Sequence, residues 1–366
     1  MKTAGFIISY QGDLSAMIDK CRGNTKRQSE FFLFDKYSKH YDKIFIFSND
    51  KEDFSKYLPK NAVQIKMRNK LFYILFGWIV IAYYSSKYNI EHLRVVGSPA
   101  LPNIFMVNWI VKTRVLLDYN YFWHIPYIED RRNNSIYEIL KKNKVTASFV
   151  SFLEKIIVNN FVDYFIVGDP AVKKFIKDKD KILSLKKGII LEEFDFENAK
   201  PYKIYKKIKG PSVVFTARLV PMKDPLTLIK AYKIAKKTVP DLNLIICGDG
   251  ELLEECKKNS DQNVHLLGMI DDIAGVLKKA DIFVCPSKYD PSPRSLIEAM
   301  AMGLPCIATN TGGIPYYLDE SCGILVETQN PKEMAEKIIY LLNNPKTAKQ
   351  LGTKAKEKIY KEHDLN

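Results

Sequence analysis

The sequence predicts an α/β fold with two doubly wound, parallel β-sheets in two domains. Apolar strand-like runs alternate with helix-like segments along the chain, a pattern typical of the β-α units that form parallel sheets. The 366 residues exceed what one ordinary hydrophobic core holds. A lysine-rich segment with two prolines and a glycine, residues 200–211, separates two such series and is typical of a linker. We therefore predict one domain over residues 1–200 and a second over residues 201–366.

The first domain is predicted from strands and helices that alternate in order. The strand-like runs are short and apolar (residues 3–10, 43–47, 93–96, 114–117 and 164–167). The helix-like segments lie between those runs or follow them (residues 25–39, 71–84, 104–112, 148–161 and 170–177). The second domain has strand-like runs at residues 212–216, 241–247, 264–268 and 282–286. We expect ligands at the carboxyl ends of these strands, where open parallel sheets bind them.

Residues 71–84 form an apolar segment, LFYILFGWIVIAYY, with basic residues on both sides (Lys66, Arg68, Lys70 and Lys87). As a helix it would be roughly 21 Å long at about 1.5 Å per residue, which is shorter than the roughly 30 Å of a bilayer core. We therefore exclude a transmembrane span. Two interpretations stay open: a core helix of the first domain, or an interfacial anchor favoured by the aromatic and basic content.

The net charge of +14 lies mainly in the first half of the chain, since residues 1–205 carry 33 Lys and Arg against 22 Asp and Glu. A basic surface attracts phosphate-bearing partners such as anionic lipid, and a solvated lysine coat is the alternative explanation. Nucleic acid is not expected as a partner, because no nucleic-acid motif is recognisable. With 46% hydrophobic and 27% charged residues, the composition excludes a disordered chain.

The six cysteines show no C-x-x-C pair and no metal-type spacing, so we expect reduced thiols and no metal site. Reduced thiols favour a cytosolic compartment. The apolar run at residues 4–10 ends at Gln11-Gly12-Asp13, which does not fit a signal peptide. We therefore expect a cytoplasmic protein, and the basic first domain suggests peripheral association with the inner membrane face.

Residues 289–305 are the most informative run of the sequence, because they set two carboxylates, Asp290 and Glu298, on either side of a proline-marked helix start. Gly303 is a natural left-handed residue for the end of that helix. A helix start that follows a parallel strand binds anions, because its first N–H groups have no partner within the helix. A carboxylate beside such a site needs another partner, and ligand hydroxyls are the obvious candidates.

A pair of cations is predicted at the end of another strand. The strand-like run 212–216 leads into a loop that carries Arg218 and Lys223, and Asp224 and Pro225 then fit an N-cap and a first helical residue. Two cations there can hold a diphosphate without a metal, at about 1.5–3 kcal/mol for each charge-assisted hydrogen bond. They would also stabilise a nucleoside diphosphate as it leaves. The alternative is two surface basic residues in a lysine-rich chain.

The run 289–305 resembles the E-x7-E signature of glycosyltransferase family 4, retaining nucleotide-sugar transferases with the GT-B fold. That family usually reads Glu-Gly-x-Pro-x-x-x-x-Glu-Ala-Met-Ala-x-Gly-x-Pro. Here Asp290 replaces the first Glu and Pro291 replaces the Gly, and the match continues through Pro305 and then through Thr309-Asn310-Thr311-Gly312-Gly313-Ile314-Pro315. The resemblance implies two Rossmann-like β/α/β domains that face each other across a cleft, an N-terminal domain for the acceptor and a C-terminal domain for the donor.

Other segments carry the same resemblance. Residues 217–224 resemble the family's Gly-Arg-Leu-x-x-x-Lys-Gly element, with Ala217 and Asp224 in place of the two glycines. The Gly248-Asp249-Gly250 loop and the strand at residues 264–268 resemble elements that lie beside the nucleotide. The resemblance is strong over residues 210–345 and weak over residues 1–200.

The resemblance implies a role for each of these side chains. Arg218 and Lys223 would neutralise the leaving diphosphate, Glu298 would hold the donor ribose, and Asp290 would orient the transferred sugar. Asp290 reaches about 1.5 Å less than the family's Glu, which bears on the sugar contact and the donor identity. The remaining donor contacts would come from Gly248, Asp249, Gly250, Leu267, Arg294, Ser295 and Leu296.

The first domain matches the family less clearly. Gly12 and Gly23 precede its first predicted helix, where the family often has Gly-Gly, and three residues follow a strand where the family often has His-Asp (Asp118, Tyr119 and Asn120). These five are candidate sugar or acceptor contacts, and a structural role is an equal alternative. The sequence ends soon after Tyr360-Lys361-Glu362-His363, so we expect the family's final helix to be short or absent.

The resemblance implies a retaining glycosyltransferase that passes a sugar from a nucleotide diphosphate sugar to a saccharide or lipid-linked acceptor, in cell-envelope polysaccharide, glycolipid or glycan synthesis. It implies no cofactor and no metal. Two alternatives stay open: a GT-B enzyme of another class, such as a nucleotide-sugar epimerase or phosphorylase, and a non-catalytic protein that binds a nucleotide sugar or anionic lipid. No motif here encodes the base, the sugar, the acceptor, the linkage or the oligomeric state.

Overall fold

The computed structural model describes residues 1–8, 37–48, 53–67, 70–96, 101–118, 144–167, 173, 176–183 and 191–362. The described residues form two compact units, 1–183 and 191–362. Residues 191–200, which the prediction assigned to the first domain, belong to the second unit, because Leu191 and Phe194 are buried in its core. The predicted helices over residues 25–39 and 170–177 lie largely outside the described residues.

The first unit contains a seven-stranded parallel sheet with the strand order β3-β2-β1-β4-β5-β6-β7 among its described residues. Chain order reverses direction at β1 and β4, which confirms the predicted doubly wound arrangement. The edge strand β3 was not predicted, because its residues are half-buried or exposed and form no apolar run. The strands are β1 (Thr3–Ile8), β2 (Lys43–Ser48), β3 (Ala62–Lys66), β4 (His92–Val96), β5 (Arg114–Asp118), β6 (Tyr164–Ile166) and β7 (Ile182–Leu183).

Three long helices of the first unit pack side by side: α1 (Lys70–Tyr88), α2 (Leu101–Val111) and α3 (Lys144–Phe161). The helix α1 buries Tyr73 and Ile81 in the main core of this unit, so the core-helix interpretation is confirmed for that side of the helix. Across the described residues, every helix is too short or too polar to cross a lipid bilayer. The described residues of this unit also include two 3-10 helices (Ser55–Tyr57 and Lys179–Lys181).

The second unit contains a six-stranded parallel sheet with the strand order β10-β9-β8-β11-β12-β13. Successive residues of β8 face opposite cores: Val214 lies in one, and Val213 and Phe215 lie in the other. Strands buried on both faces are apolar throughout, which is why the sequence revealed them. The strands are β8 (Ser212–Thr216), β9 (Asn243–Cys247), β10 (Val264–Gly268), β11 (Ile282–Cys285), β12 (Cys306–Thr309) and β13 (Ile324–Val326).

The helices of the second unit lie on both faces of its sheet. They are α4 (Pro225–Lys236), α5 (Leu253–Asn259), α6 (Ile273–Leu277), α7 (Arg294–Ala301), α8 (Ile314–Tyr317), α9 (Pro331–Asn343) and α10 (Pro345–Glu362). Three 3-10 helices connect the elements (Leu191–Phe194, Lys203–Lys206 and Pro221–Lys223). The second of these lies in the predicted linker, and Tyr205 in it donates a hydrogen bond to the carbonyl of Val276 at 2.6 Å.

The helix α10 is 18 residues long and runs to Glu362, and the expectation of a short or absent final crossing helix beyond it falls on residues outside the described ones. The helix α10 packs against the end of α7, where Gly352 lies directly over the backbone of Gly303. Lys358 Nζ also lies 2.6 Å from Asp319 Oδ2. Hydrogen bonds from Lys358 and Ser321 hold the pKa of Asp319 well below its usual range. This packing fixes α7, the helix that carries the predicted site.

We predict that Gly352→Ala destabilises the protein although alanine favours helices. A Cβ at Gly352 would overlap the carbonyl oxygen of Gly303, a backbone atom that cannot turn away. Overpacking of this kind lowers the free energy of unfolding by about 1–3 kcal/mol, beyond the roughly 1 kcal/mol that helix propensity returns. Urea denaturation measures the difference.

Thr353→Ala is the matched control, because Thr353 is the exposed neighbour on the same helix. It should leave stability unchanged or raise it slightly. A Gly352→Ala protein as stable as the control would contradict the close helix contact.

Candidate functional site

The loops that follow four adjacent strands, β9, β8, β11 and β12, meet at one edge of the second sheet. We call residues 217–224, 248–250, 286–293 and 309–313 the loop cluster. Three backbone hydrogen bonds join neighbouring loops of this cluster: Leu219 N to Asp249 O at 2.8 Å, Lys288 N to Met222 O at 2.9 Å, and Gly313 N to Asp290 O at 2.9 Å. The cluster is therefore one connected surface, and it contains most of the site residues that the sequence predicted in this domain.

The loop after β8 carries Arg218 and Lys223 and ends in the predicted helix cap. Asp224 accepts hydrogen bonds from the Thr227 amide at 3.3 Å and the Thr227 hydroxyl at 2.8 Å, and Pro225 is the first residue of α4. Asp224 has φ of 47° and ψ of 52°, the left-handed region that glycine and Asp or Asn adopt most readily. The conformation explains why a glycine-like position can hold an aspartate here.

Lys223 and Asp290 form an ion pair between two of these loops. Lys223 Nζ lies 2.5 Å from Asp290 Oδ2, and the two side chains are 18% and 6% exposed. The other carboxylate oxygen, Asp290 Oδ1, accepts a hydrogen bond from the Ser292 amide at 3.2 Å. The first carboxylate of the signature thus neutralises one of the two predicted phosphate-binding cations. No local pattern could have predicted this contact, since 67 residues separate the partners.

The loop that carries Asp290 is braced by the residues after β12. Gly312 has φ of 55°, and a Cβ there would lie 2.5 Å from the carbonyl oxygen of Asp290, so only glycine fits. The hydroxyls of Thr309 and Thr311 donate to the carbonyl oxygens of Ser287 and Lys288, at 2.6 and 3.0 Å. The sequence indicated this run only through the family resemblance, and its position explains it as the support of Asp290.

The helix α7 begins at Arg294 without a side-chain cap, since Pro293 occupies the N-cap position and provides none. The amides of Ser295 and Leu296 lie in its first turn, where backbone N–H groups have no acceptor within the helix. Such a helix start favours an anion. This is the arrangement that the sequence predicted for these two residues.

Glu298 lies at the start of the second turn of α7, and its side chain extends back toward the helix start. Glu298 Oε1 lies 3.0 Å from Arg294 Nε, and the carboxylate side chain is 13% exposed. The spacing of four residues on a helix is the ordinary signal for such a pair. Both carboxylates of the signature are therefore held by cations of the same site.

The glycines of the Gly248-Asp249-Gly250 loop serve the packing of the protein itself. Gly248 has φ of 141°, and a Cβ there would overlap the carbonyl oxygen of Ala217. The sequence predicted donor contacts at these glycines, and their observed neighbour within the protein is the loop that carries Arg218. Their role as donor contacts stays a prediction, as does that of the half-buried Leu267 on β10.

The thiol of Cys285 at this edge does not supply a nucleophile. Cys285 ends β11, and burial raises the pKa of its thiol to about 11, so the thiol is protonated at neutral pH. Two buried hydroxyl oxygens that the sequence analysis did not single out, Thr216 Oγ1 and Ser292 Oγ, have no hydrogen-bond partner among the described residues. Cations, unfilled helix amides and carboxylates together can bind an anion that carries hydroxyl groups.

In the first unit, Asp118 is the single predicted contact within the described residues, and Gly12, Gly23, Tyr119 and Asn120 lie outside them. Arg94 Nη2 lies 3.2 and 3.1 Å from the two carboxylate oxygens of Asp118. Burial lowers the pKa of Arg94, but the charges and hydrogen bonds of Asp118 and Tyr37 together outweigh burial, so the pKa is raised. Asp118 therefore has a structural partner, and its sugar contact stays a prediction.

A double-mutant cycle of Lys223→Met and Asp290→Asn should measure the ion pair. Each single variant leaves one partly buried charge without its partner, so we expect a coupling free energy of about 1–3 kcal/mol in urea denaturation. Asparagine at position 290 keeps an oxygen that accepts the hydrogen bond of the Ser292 amide, so the variant removes the charge of Asp290 without removing this bond. Additive effects of the two changes would contradict the pairing.

Comparison with known proteins shows what the region that carries this site is similar to. Residues 196–358 match the family model described as Glycosyl transferases group 1. The chain is 38% identical over 156 residues to UDP-Gal:alpha-D-GlcNAc-diphosphoundecaprenol alpha-1,3-galactosyltransferase of Escherichia coli. The aligned region covers 39% of this chain and 40% of that protein. The chain is 33% identical to GDP-mannose-dependent monoacylated alpha-(1-6)-phosphatidylinositol monomannoside mannosyltransferase of Corynebacterium glutamicum, over 37% of this chain and 39% of that protein.

The matched region spans about two-fifths of the length of these curated relatives. The fold likeness extends further. The structure of HepE from Anabaena in complex with UDP and glucose aligns with a TM-score of 0.73 and 15% identity, and it covers 100% of this chain and 96% of that one. The fold likeness and the two Rossmann-like units show the GT-B fold, and residues 196–358 of this chain are similar to the glycosyl transferases group 1 family.

Proposed function

We propose that the protein is a retaining glycosyltransferase of family 4 that transfers a sugar from a nucleotide diphosphate sugar to a saccharide or lipid-linked acceptor. The observation that carries the proposal is the uncapped start of α7 beside the Lys223–Asp290 ion pair at the carboxyl edge of the second sheet. This arrangement places a carboxylate beside a site that can bind an anion, and both belong to one connected set of loops.

The donor diphosphate binds the amides of Ser295 and Leu296 together with Arg218 and Lys223. These groups supply positive potential without a metal, and they hold the charge that develops as the sugar–phosphate bond breaks. Lys223 exchanges its contact with Asp290 for a shared contact with phosphate. Glu298, held by Arg294, accepts hydrogen bonds from the ribose hydroxyls.

Asp290 orients the transferred sugar, and transfer proceeds on the front side through an oxocarbenium-like transition state. The shorter reach of Asp290 compared with the family's Glu is offset by its fixed position, since Gly312 and Gly313 brace its backbone and Lys223 its side chain. We propose that this fixed carboxylate selects the donor sugar. The N-terminal domain binds the acceptor.

The acceptor is lipid-linked in this proposal, and transfer takes place in the cytoplasm at the membrane face. The two relatives described above act on diphosphoundecaprenol-linked and phosphatidylinositol-linked sugars according to their names. The excess of basic residues in the first half of this chain supports contact with an anionic lipid surface. Cell-envelope polysaccharide or glycolipid synthesis is the corresponding process.

Lys223→Met should weaken the binding of the cognate nucleotide diphosphate sugar by roughly tenfold to a hundredfold, because a charge-assisted hydrogen bond to phosphate is lost. Isothermal titration of UDP-, GDP- and ADP-sugars identifies the donor on the wild type first. Arg218→Ala tests the second cation in the same way.

Lys233→Met is the matched control, because it is the same substitution at an exposed residue of α4 that lies outside the loop cluster. It should bind donor like the wild type. Equal donor affinity in all three variants and the wild type would remove the diphosphate site from the loop cluster.

Asp290→Asn should separate donor binding from transfer. Removal of one negative charge beside the diphosphate strengthens the binding of the free nucleoside diphosphate by roughly tenfold at most. Transfer to the acceptor falls at the same time, because the sugar loses its orienting carboxylate. Binding by titration and product formation by chromatography must move in opposite directions; a parallel change in both would assign Asp290 to folding alone.

Transfer should persist in excess EDTA, because Arg218, Lys223 and the helix amides supply the positive charge that a metal would otherwise provide. Loss of transfer in EDTA, restored by Mg²⁺ or Mn²⁺, would contradict this mechanism. Incubation of the donor without acceptor, with and without inorganic phosphate, distinguishes the alternatives. An epimerase converts the donor alone, a phosphorylase consumes phosphate, and a non-catalytic protein leaves the donor unchanged with every acceptor.

A further inference from the structure

The three neighbouring helices of the first unit expose large apolar side chains on their outer sides. On α1, Phe76, Ile79 and Tyr83 are 47%, 48% and 56% exposed. Their spacing of three and four residues aligns them along one side of the helix. The opposite side of α1 buries Tyr73 and Ile81 in the core. A helix that is apolar on both sides is unusual in contact with water alone.

The same pattern continues on the next two helices. Trp109 and Ile110 of α2 are 71% and 52% exposed, and Phe152 of α3 is 58% exposed. Phe105 lies at the contact between α2 and α3, where its ring meets that of Phe161 edge to face. The exposed apolar side chains of these three neighbouring helices, α1, α2 and α3, are called the aromatic face.

The second unit provides the contrast within the same molecule. Its described residues, 191–362, expose three large apolar side chains, Met269, Tyr340 and Tyr360, and these belong to separate elements. Scattered apolar side chains of that kind are normal on a folded protein, whereas a contiguous patch marks an interaction surface. The aromatic face is therefore a specific feature of the first unit.

The charges carried by the three helices are mostly positive, and the carboxylates Glu91 and Asp163 follow the ends of α1 and α3. The sequences of α1, α2 and α3 contain four lysines and one carboxylate, Glu154. Lys87 and Lys155 are exposed on these helices, and Lys112 and Arg114 are exposed just beyond the end of α2. Lys87 Nζ lies 3.1 Å from the hydroxyl of Tyr83, so a cation borders the apolar side chains directly.

This charge pattern distinguishes between two possible partners of the aromatic face, a second copy of the chain and a lipid surface. A second copy of the chain that docked through the same surface would bring two patches of the same positive sign together, because a two-fold interface uses the same patch on both copies. An anionic phospholipid surface complements both components: its phosphates attract the lysines, and its interfacial region accepts Trp, Tyr and Phe side chains.

We propose that the aromatic face docks on the surface of an anionic phospholipid bilayer. The helices lie in the interface and insert their exposed side chains, with Trp109 and Phe152 as principal anchors. The proposal extends the lipid-linked acceptor of the proposed function, but lipid binding itself does not require donor or transfer.

Vesicle flotation tests the proposal with the whole chain. The wild type should bind vesicles of mixed phosphatidylglycerol and phosphatidylcholine, and bind pure phosphatidylcholine more weakly. The double variant Trp109→Ser/Phe152→Ser should partition about tenfold or more less strongly, because two large aromatic side chains no longer leave water. Both replaced side chains are exposed, so the fold should persist, and circular dichroism checks this.

Tyr340→Ser is the matched control, because Tyr340 is 46% exposed on a helix of the second unit. It should bind vesicles like the wild type. In a separate measurement, brominated lipid should quench the fluorescence of the wild type, and Trp109→Phe should lose most of that quenching because Trp109 is the inserted indole.

Two results would overturn the proposal. One is a wild type that stays free of anionic vesicles. The other is a wild-type dimer in solution that Trp109→Ser/Phe152→Ser converts to a monomer without any change in lipid binding, which would assign the face to self-association. Titration with the cognate donor should give equal affinity for the wild type and the double variant, so a failure of lipid docking is distinguishable from a failure of the proposed transfer reaction.

Discussion

Parallel pairing in the second sheet is the constraint on which the site depends. Because β9, β8, β11 and β12 run in the same direction, the loops that follow them emerge at one edge. Their backbones then approach so closely that side chains do not fit between them, and glycine occupies the contacts at Gly248 and Gly312. Residues far apart in sequence, such as Lys223 and Asp290, meet only as a result of this arrangement.

The Lys223–Asp290 pair has two opposing effects on ligand binding. It satisfies a nearly buried carboxylate and fixes the loop that carries it, which favours a single geometry of the site. It also reduces the positive potential available to an anion until the lysine turns toward the ligand. The Arg294–Glu298 pair repeats this arrangement on α7, at lower burial of the cation. A site built in this way is held together by its own charges when no ligand is bound.

Most of the second unit could be predicted from the sequence, because its strands are buried on both faces and its motif residues are local. The strand Ser212–Thr216, the cap at Asp224 and the helix end at Gly303 follow from apolar runs and from residue-specific backbone preferences. The pairing of Asp290 with Lys223 could not be predicted, since it depends on the order of strands in the sheet. The glycines of the Gly248-Asp249-Gly250 loop were assigned to a ligand because a sequence does not reveal which backbone lies opposite.

The first unit was predicted less completely for a different physical reason. Its edge strand β3 is half exposed and lacks an apolar run, and the exposed side of α1 resembles its buried side in composition. Hydrophobicity alone therefore left two interpretations of residues 71–84: the core helix describes the buried side, and the interfacial anchor stays a prediction for the exposed side.

Asp224 illustrates how a single backbone position can prepare a site for its ligand. A glycine in the left-handed conformation would leave the chain after Lys223 free to sample other conformations. Asp224 holds the same conformation and anchors it through two hydrogen bonds to Thr227. The lysine thus extends from a backbone that is already ordered, so less conformational entropy is lost when an anion binds. In this protein the first residues of α4 determine how rigidly Lys223 is presented to the neighbouring loop, which precedes α7.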